Sequence, residues 1–283
     1  STLDRSSAAS DVYKRQTPTP RAWAARCRAT TSITVRKALK NSIAVLFWLL
    51  VWQLAAMAAN RTLLLPLPTP VDTLRALLAL AGTASFWRAA GLSLLRVCAG
   101  FALAALAGTL CAAASVRWRA FRWLTGPLVG LIRAMPVAVF TIVVFLWVGR
   151  GYIPSTIVFL TVLPIVWSGM ETGLRQLDPQ LAEMARVFGM TRWDTLRHIT
   201  LPQLRPYAGT AVVTGLGFAW KSGIAAEVIC RTQGSLGDLL WGGKATISYD
   251  QVFALAAVIV LCSALLRFAA LGLTRKEGGH DPV

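Results

Sequence analysis

The sequence predicts an all-α integral membrane protein with about six transmembrane helices, and three observations carry this prediction. Hydrophobic residues make up 55% of the 283 residues and charged residues only 14%, against roughly 45–50% and about 25% in soluble domains. Several apolar runs reach the length of about 20 residues that a membrane-spanning helix needs. Lys and Arg number 29 against 12 Asp and Glu, an excess typical of basic loops on the cytoplasmic side of a membrane. This composition argues against a soluble enzyme, a disordered chain and a nucleic-acid-binding protein.

Six segments are candidates for the spans. The runs free of charge are 41–60, 97–116 and 151–170. The runs interrupted by charge are 126–149 with Arg133, 206–230 with Lys221 and Glu227, and 251–273 with Arg267. A shorter segment from Thr73 to Trp87 carries Arg75 and predicts an amphipathic surface helix between the first two spans.

The charges of the connecting segments predict the orientation. With the N-terminus inside, the cytoplasmic segments 1–42, 116–125, 174–206 and 274–283 hold 19 Lys and Arg, whereas the outer segments 60–90, 149–154 and 231–249 hold 6. Leaving out residues 1–20 still gives 16 against 6. Because basic loops stay on the cytoplasmic side, both termini are expected in the cytoplasm.

The chain divides into a leader, a transmembrane domain and a tail. Residues 1–40 are basic and predict a disordered cytoplasmic leader, within which 1–20 lack apolar periodicity and are either leader or foreign to the native chain. The transmembrane domain covers 41–274 and contains a long cytoplasmic loop at 175–205, and 275–283 form a cytoplasmic tail. The cysteines and histidines are too scattered for a disulfide framework or a metal site: Cys27, Cys98, Cys111, Cys230, Cys262, His198 and His280.

The loop at 175–205 has the signals of two short helices. Asp178 and Pro179 are typical of a helix cap and first helical position, and Gly189 is typical of the left-handed residue that ends a helix. Apolar residues at helical spacing follow the cap: Leu181, Met184, Ala185 and Phe188.

The second short helix of this loop is expected to start at Thr191 and to stop before Pro202. Its apolar residues are Trp193, Leu196 and Ile199, and the exposed cations of the loop are expected to be Arg186, Arg192 and Arg197. A helix–turn–helix with such exposed groups on the cytoplasmic side predicts a docking element.

The same loop resembles the signature of the inner-membrane permease subunits of binding-protein-dependent ABC importers. That signature reads Glu-Ala-Ala, three residues, Gly, nine residues, Ile, any residue, Leu-Pro. The sequence has Glu183, Ala185, Gly189, Ile199, Leu201 and Pro202 at the matching positions, with Met184 in place of the central Ala. Six matches in order carry a low risk of coincidence.

Weaker similarities extend over most of 41–275. Segments 65–70, 93–101 and 133–138 resemble the leucine-proline segment and the starts of the second and third spans of that family. Segments 220–227 and 234–237 resemble the branch that imports nitrate, taurine and aliphatic sulfonates. The resemblance therefore implies a multi-pass permease of a bacterial inner membrane, 41–274 being the permease domain, that moves a small solute of this kind or a related one such as a pyrimidine vitamin precursor.

The resemblance also implies the partners and the coupling residues. The sequence has no GxxxxGK[ST] phosphate loop, so this chain is expected to be no enzyme and to bind no cofactor, while two copies of a separate subunit use ATP. A second permease copy, expected by resemblance to form a homodimer with the first, and an extracytoplasmic solute-binding protein complete the implied assembly. The implied ATPase-coupling residues are Glu183, Ala185, Arg186, Gly189, Arg192, Arg197, Ile199, Leu201 and Pro202.

Two other function classes compete with this interpretation. An ion-coupled secondary transporter is supported only by the charged residues in or near the spans, which are Arg96, Glu171, Lys221 and Glu227. A membrane-embedded enzyme would need paired catalytic groups, and the sequence offers no Ser/His pair, HExxH or aspartate cluster at recognisable spacing.

The charges inside the spans predict one pair and one open question. Arg96 and Glu227 are expected at similar depth in the outer half of the membrane, where they would pair between the second and fifth spans. Lys221 lies about 9 Å deeper than Glu227 and roughly 120° around the helix. It either faces the translocation pathway and attracts an anionic solute, or snorkels or bonds a free carbonyl.

Overall fold

The computed structural model describes residues 42–61 and 67–277, and every regular element in these ranges is a helix. The first, α1, covers Ser42–Arg61; it belongs to a compact unit that ends at Pro70 and is described by itself. In the second unit the helices are α2 Pro70–Ala81, α3 Ala84–Arg117, α4 Arg119–Ala134, α5 Val137–Phe145, α6 Ile153–Arg175, α7 Pro179–Val187, α8 Arg192–Thr195, α9 Leu201–Cys230, α10 Leu236–Ala245 and α11 Tyr249–Glu277.

The prediction of about six spans is confirmed in number and in approximate place. Among the described residues, five helices are long and apolar enough to cross a membrane, and the number is six when one bent pair of helices is counted as a single span. The spans at 97–116, 151–170 and 206–230 are parts of longer helices, because each helix continues through flanking residues that are less apolar. The leader at 1–40 and the end of the tail lie outside the described residues.

The third span is broken, which the sequence analysis did not predict. The helices α4 and α5 meet at an angle of 106°. The break falls at Met135 and Pro136, where Met135 has extended backbone with φ −76° and ψ 129°. A proline ring clashes with a helical conformation of the residue before it, so Pro136 forces this break. The predicted span at 126–149 therefore consists of two helices that meet at a break rather than of one continuous helix.

Arg133, the charge that interrupts this broken span, is stabilised by a hydrogen bond to a backbone carbonyl. Arg133, at the end of α4, donates a hydrogen bond from Nη2 to the carbonyl oxygen of Pro164 in α6 at 2.8 Å. The same carbonyl accepts a hydrogen bond from Ser168 Oγ at 2.9 Å. An arginine near the membrane interior needs such partners because the hydrocarbon offers none.

The predicted surface helix between the first two spans ends earlier than expected. The helix α2 ends at Ala81, and Gly82 and Thr83 form a non-helical connection before α3 begins. Thr83 has extended backbone, with φ −102° and ψ 135°, and its hydroxyl donates to the carbonyl of Leu80. Trp87 therefore belongs to α3, the helix that contains the second span. The prediction that one helix runs from Thr73 to Trp87 was wrong.

The core of the second unit forms where α3 and α9 pack against α6. One face of α3 carries small residues at spacings of three and four: Ala89, Ser93, Val97, Gly100, Ala104, Gly108, Ala112 and Ser115, all of them buried. A Cβ on Gly100 would lie 2.4 Å from the carbonyl oxygen of Ser155 in α6. Without a hydrophobic effect inside lipid, such close contact is what holds helices together. The opposite face of α3 exposes large apolar side chains such as Leu95 and Leu106, as a lipid-facing surface requires.

Hydrogen bonds between helices fix the depth of each helix against the next. Trp167 Nε1 in α6 donates to Ser115 Oγ in α3 at 2.9 Å. Trp220 Nε1 in α9 donates to the carbonyl oxygen of Ile259 in α11 at 2.9 Å. These bonds fix how far each helix is shifted along its neighbour, and therefore which polar residues of different helices lie at the same level.

Candidate functional site

The loop between α6 and α9 begins with a capped helix. Asp178 precedes α7, and its carboxylate accepts a hydrogen bond from the backbone N–H of Gln180 at 2.8 Å. Pro179 is the first helical residue, where its missing N–H leaves no carbonyl without a partner. The predicted start of this helix is thus confirmed.

The predicted left-handed glycine at the end of α7 is also confirmed. Gly189 has φ +64°, and the N–H of Met190 reaches back to the carbonyl of Ala185 at 2.9 Å. The N–H of Gly189 itself donates to the carbonyl of Arg186 at 3.1 Å. These two bonds are the Schellman pattern, which ends a helix and turns the chain sharply.

The second half of the loop does not stop at Pro202. Thr191 caps α8 by accepting from the backbone N–H of Asp194 at 3.1 Å. The chain then passes through one π-helical turn, Leu196–Thr200, directly into α9, so that Arg192–Cys230 form one helix of 39 residues. The wider π turn leaves room for the ring of Pro202, which would clash with a carbonyl in a regular α-helix. The prediction of a separate short helix was wrong for this reason.

The side chains of the loop are mostly exposed. Ala185 is the buried member of the signature and Ile199 is half-buried, whereas Glu183, Arg186, Gly189, Arg192, Arg197, Leu201 and Pro202 are exposed. Large apolar side chains lie between the arginines: Val187, Phe188 and Trp193 are 84%, 76% and 65% exposed. An apolar surface of this kind on a short helical loop is typical of a site that contacts another protein.

The base of the loop is tied to both flanking spans. Gln203 Oε1 in α9 accepts a hydrogen bond from the backbone N–H of Asp178 at 2.9 Å. The hydroxyl of Tyr207 donates to Gln176 Oε1, and the Tyr207 ring lies against Gly173, where a Cβ would approach it to 2.8 Å. A displacement of α7 therefore reaches α6 and α9 directly.

Ion pairs extend the connection from the base of the loop to α4, the first helix of the broken span. Glu171 Oε1 in α6 lies 2.9 Å from Arg175 Nη2 and 3.5 Å from Arg122 Nε in α4. Glu171, which the sequence analysis considered as a charge for ion coupling, thus has two cationic partners at the end of α6 that bears the loop.

A second polar cluster lies at the opposite end of α9 and is buried. Arg96 Nη1 in α3 lies 3.9 Å from Glu227 Oε1 in α9, and the Glu227 side chain is 0% exposed. The other carboxylate oxygen accepts hydrogen bonds from Ser93 Oγ at 2.7 Å and from the backbone N–H of Gly237 at 3.4 Å. Arg96 Nη2 also donates to the carbonyl of Gln233 at 3.4 Å.

This cluster holds the start of α10, which the sequence analysis missed. Ser93 Oγ accepts a hydrogen bond from the backbone N–H of Leu236 at 2.9 Å, and Ser235 caps α10 by accepting from Asp238 N. The carboxylate of Glu227 therefore lies against the positive end of a helix, where a negative charge is stabilised. Ser93 lacked any signal of its own, since a serine on a small-residue helix face is common.

Lys221 lies apart from this cluster, as its rotation around α9 predicts. Its side chain is exposed in the single chain and lines a cleft between α9 and α11. No group of three or more His, Cys, Asp or Glu side chains among the described residues has an arrangement that would hold a metal ion.

Comparison with known proteins assigns the family. Residues 100–276 match the family described as the binding-protein-dependent transport system inner membrane component. The chain is 28% identical over 216 residues to the taurine transport system permease protein of Escherichia coli strain K12, covering 74% of this chain and 78% of that one. It is 26% identical over 252 residues to the nitrate import permease protein of Leptolyngbya laminosa, covering 84% and 87%.

The fold also resembles that of solved transporters. A chain of a bacterial alginate ABC transporter, in complex with an alginate pentasaccharide-bound periplasmic protein, superimposes with a TM-score of 0.56 over 87% of this chain and 96% of that one at 16% identity. A chain of an amino acid ABC transporter gives a TM-score of 0.53 over 73% and 96% at 14% identity. The family match covers more than half of the sequence, and the chain therefore belongs to the inner membrane components of binding-protein-dependent transport systems and is the permease subunit of an ABC importer.

Proposed function

We propose that this permease draws its energy from a separate ATP-binding subunit that docks on the loop formed by α7, Gly189 and α8. The observation that carries this proposal is the exposure of Val187, Phe188 and Trp193 beside Arg186 and Arg192. Apolar anchors with a cationic rim are the composition of a protein–protein contact. The sequence itself has no phosphate-binding loop, so hydrolysis must occur on a partner.

The orientation follows from the positive-inside rule. The loop belongs to a segment rich in Lys and Arg, which supports a cytoplasmic position for the loop and for both termini in the inner membrane of a bacterium. Two ATP-binding subunits, a second copy of this permease and an external solute-binding protein would complete the importer, as in the assembly that the family resemblance implies. The second copy supplies the other half of the pathway.

The solute is proposed to be a small anion or zwitterion with an oxyanion group. The relatives named above import taurine, which carries a sulfonate, and nitrate. A related chain of Synechococcus elongatus, a bicarbonate transport system permease protein, is 28% identical over 158 residues. These three solutes share an oxyanion group with a single negative charge, which is planar in nitrate and bicarbonate and tetrahedral in the sulfonate of taurine.

Substitution of Gly189 tests the docking proposal with little effect on packing. No atom lies within 4 Å of a Cβ built on Gly189, so a side chain there acts through the backbone alone. Gly189→Val disfavours the left-handed conformation by roughly 1–2 kcal/mol, whereas Gly189→Asn tolerates it. We expect Gly189→Val to lose ATPase copurification and solute-stimulated hydrolysis, and Gly189→Asn to retain most of both.

A surface variant provides the independent readout. Phe188→Asp places a charge in the apolar surface while Gly189 keeps its left-handed conformation, and it should weaken ATPase binding while membrane insertion stays normal. Arg150→Gln, on the connection between α5 and α6, is the control for a general loss of charge. Normal ATP-driven uptake with both Gly189→Val and Phe188→Asp would refute docking at this loop, and uptake without any ATPase would instead support ion-coupled transport.

A further inference from the structure

A cleft of about 840 Å³ lies between α9 and α11. Side chains that line it include Trp220, Lys221, Ile224, Ser263, Arg267 and Phe268. The lining contains two cations and no carboxylate. The lining of this open cleft is therefore mostly apolar, with two positive charges and one hydroxyl.

Neither cation has a charged partner within the described part of the chain. The ion pairs there involve Arg75, Arg96, Arg122 and Arg175. Both Lys221 and Arg267 are exposed in the single chain. A cation at membrane depth without a charged partner faces water or an anion, bonds a backbone carbonyl or snorkels to the interface, because lipid tails do not solvate it.

The height of Lys221 is fixed by the hydrogen bond of its neighbour. Trp220 bonds the carbonyl of Ile259, ten residues after Tyr249 begins α11. Ten residues rise about 15 Å, which is half of a hydrocarbon core of about 30 Å. With Tyr249, where α11 begins, taken as the outer boundary of the hydrocarbon core, Lys221 lies near the middle of that core and far from the phosphates of lipid headgroups.

Arg267 lies farther along the same cleft. It follows Ile259 by eight residues on α11, which corresponds to about 12 Å towards the C-terminal end of that helix. The two cations are thus arranged one after the other along the membrane normal. An anion that leaves Lys221 meets a second positive charge before it reaches the surface.

We propose that this cleft is a path for a small oxyanion, with Lys221 as its midpoint site and Arg267 as its site towards the end of α11. This inference rests on the proposed function for the solute class, but it concerns residues that no relative assigns. The solute's negative oxygens replace the missing carboxylates, and Trp220 and Phe268 supply the apolar wall for its small remainder. A path lined by two cations favours anions over cations, whatever the identity of the solute.

The test measures that selectivity with thiol reagents of opposite charge. Lys221→Cys is prepared in a chain whose five native cysteines are replaced by Ala, and the assembled importer is placed in nanodiscs so that reagents reach both faces. The rates of modification by 2-sulfonatoethyl methanethiosulfonate, an alkyl sulfonate, and by its trimethylammonium analogue are each divided by the rates for free cysteine. Ile247→Cys in the connection before α11 is the control for an exposed aqueous site.

The expected result is a normalised preference for the sulfonate reagent in the Lys221→Cys variant and none in the Ile247→Cys variant. Adding Arg267→Gln should lower this preference by roughly three- to a hundredfold, because one unit charge at about 12 Å changes the rate of each reagent by about two- to tenfold, in opposite directions, between bulk water and a protein-like dielectric. Lys244→Gln, on α10 and outside the cleft, should leave it unchanged. An unreactive thiol in Lys221→Cys while the thiol in Ile247→Cys reacts would overturn the proposal, as would a preference that Arg267→Gln does not alter.

Two further arms separate the sources of the anion and the two proposals. If replacing phosphatidylcholine by the anionic phosphatidylglycerol suppresses the sulfonate reaction of Lys221→Cys more than that of Ile247→Cys, an anionic headgroup occupies the cleft and the solute path is refuted. An unchanged rate supports the solute path. Failure of ATP-driven uptake by the unmodified complex, with selective labelling intact, would count against the proposed function alone.

Discussion

The hydroxyl of Ser93 and the buried carboxylate of Glu227 are joined by a hydrogen bond of 2.7 Å that links α3 to α9. The same hydroxyl accepts the backbone N–H of Leu236 at 2.9 Å. One serine therefore bonds one oxygen of a buried carboxylate and the first turn of α10 together. A group with two buried partners is costly to remove, because both partners lose their hydrogen bond.

Removing this hydroxyl should destabilise the permease. Ser93→Ala leaves a carboxylate oxygen and a backbone N–H short of a partner, and we expect a loss of about 1–3 kcal/mol. The measurement is thermal unfolding of the purified protein in detergent, followed by tryptophan fluorescence. Ser248→Ala, whose hydroxyl bonds Thr246 in an exposed turn, should change the midpoint little; an equal loss in both variants would contradict the argument.

Reversing the charges tests whether Arg96 and Glu227 act as a pair. Arg96→Glu places two carboxylates in a closed site, and breaking a buried pair costs about 3–5 kcal/mol. We therefore expect poor assembly, measured as the fraction of protein that elutes as a single complex from size-exclusion chromatography. Adding Glu227→Arg should recover part of that fraction.

The control for this experiment is an exposed pair. Arg75 and Asp72 lie 4.0 Å apart with side chains 78% and 48% exposed, so Arg75→Glu should cost less than about 1 kcal/mol. If the double variant Arg96→Glu, Glu227→Arg assembles no better than Arg96→Glu, the two side chains do not act as a pair.

Gly237 should tolerate no side chain, although it lies in a short helix with two other glycines. A Cβ there would lie 2.6 Å from Glu227 Cβ and 2.7 Å from the backbone N of Val228, so Gly237→Ala must push α10 off α9. We expect a loss of roughly 1–3 kcal/mol from overpacking, together with reduced uptake. Gly242→Ala, in the same helix with nothing within 4 Å, should be neutral or stabilising by up to about 1 kcal/mol; equal effects would argue against the contact.

Gly100 should behave in the same way in the core between α3 and α6. Its Cβ would meet the carbonyl oxygen of Ser155 at 2.4 Å and Val158 Cβ at 2.9 Å. Gly100→Ala is expected to separate the two helices and to lower the unfolding midpoint in detergent. Gly91→Ala on the same helix meets no atom within 4 Å and is the matched control, for which no decrease is expected.

The orientation can be measured by labelling single cysteines in intact cells. Arg192→Cys in the loop should react with an impermeant maleimide only after the cells are permeabilised. Trp87→Cys and Ile247→Cys, both at exposed positions, should react from outside. An Arg192→Cys variant that reacts in intact cells would overturn the cytoplasmic position of the loop and the docking proposal with it.

The sequence alone predicted the spans and the first helix of the loop at 175–205, because both depend on local properties. Apolar length predicts a crossing, and the caps at Asp178 and Gly189 are set by the preferences of those residues for one backbone conformation. The resemblance to the family signature supports the docking function that is proposed for that loop. The approximate bounds of the spans followed in the same way, except where Pro136 breaks the third one.

Which polar groups share a site depends on helix packing, and the sequence does not reveal it. The sequence predicts similar depths for Arg96 and Glu227. Whether Ser93 and the start of α10 join their polar cluster depends on the rotation of α3 against α9. That rotation is set by close contacts such as Gly223 with Val97, which involve residues far apart in the chain. The cleft that Lys221 and Arg267 both line depends likewise on the bond between Trp220 and Ile259. Helix periodicity defines the faces of each helix, and packing between helices determines which faces meet.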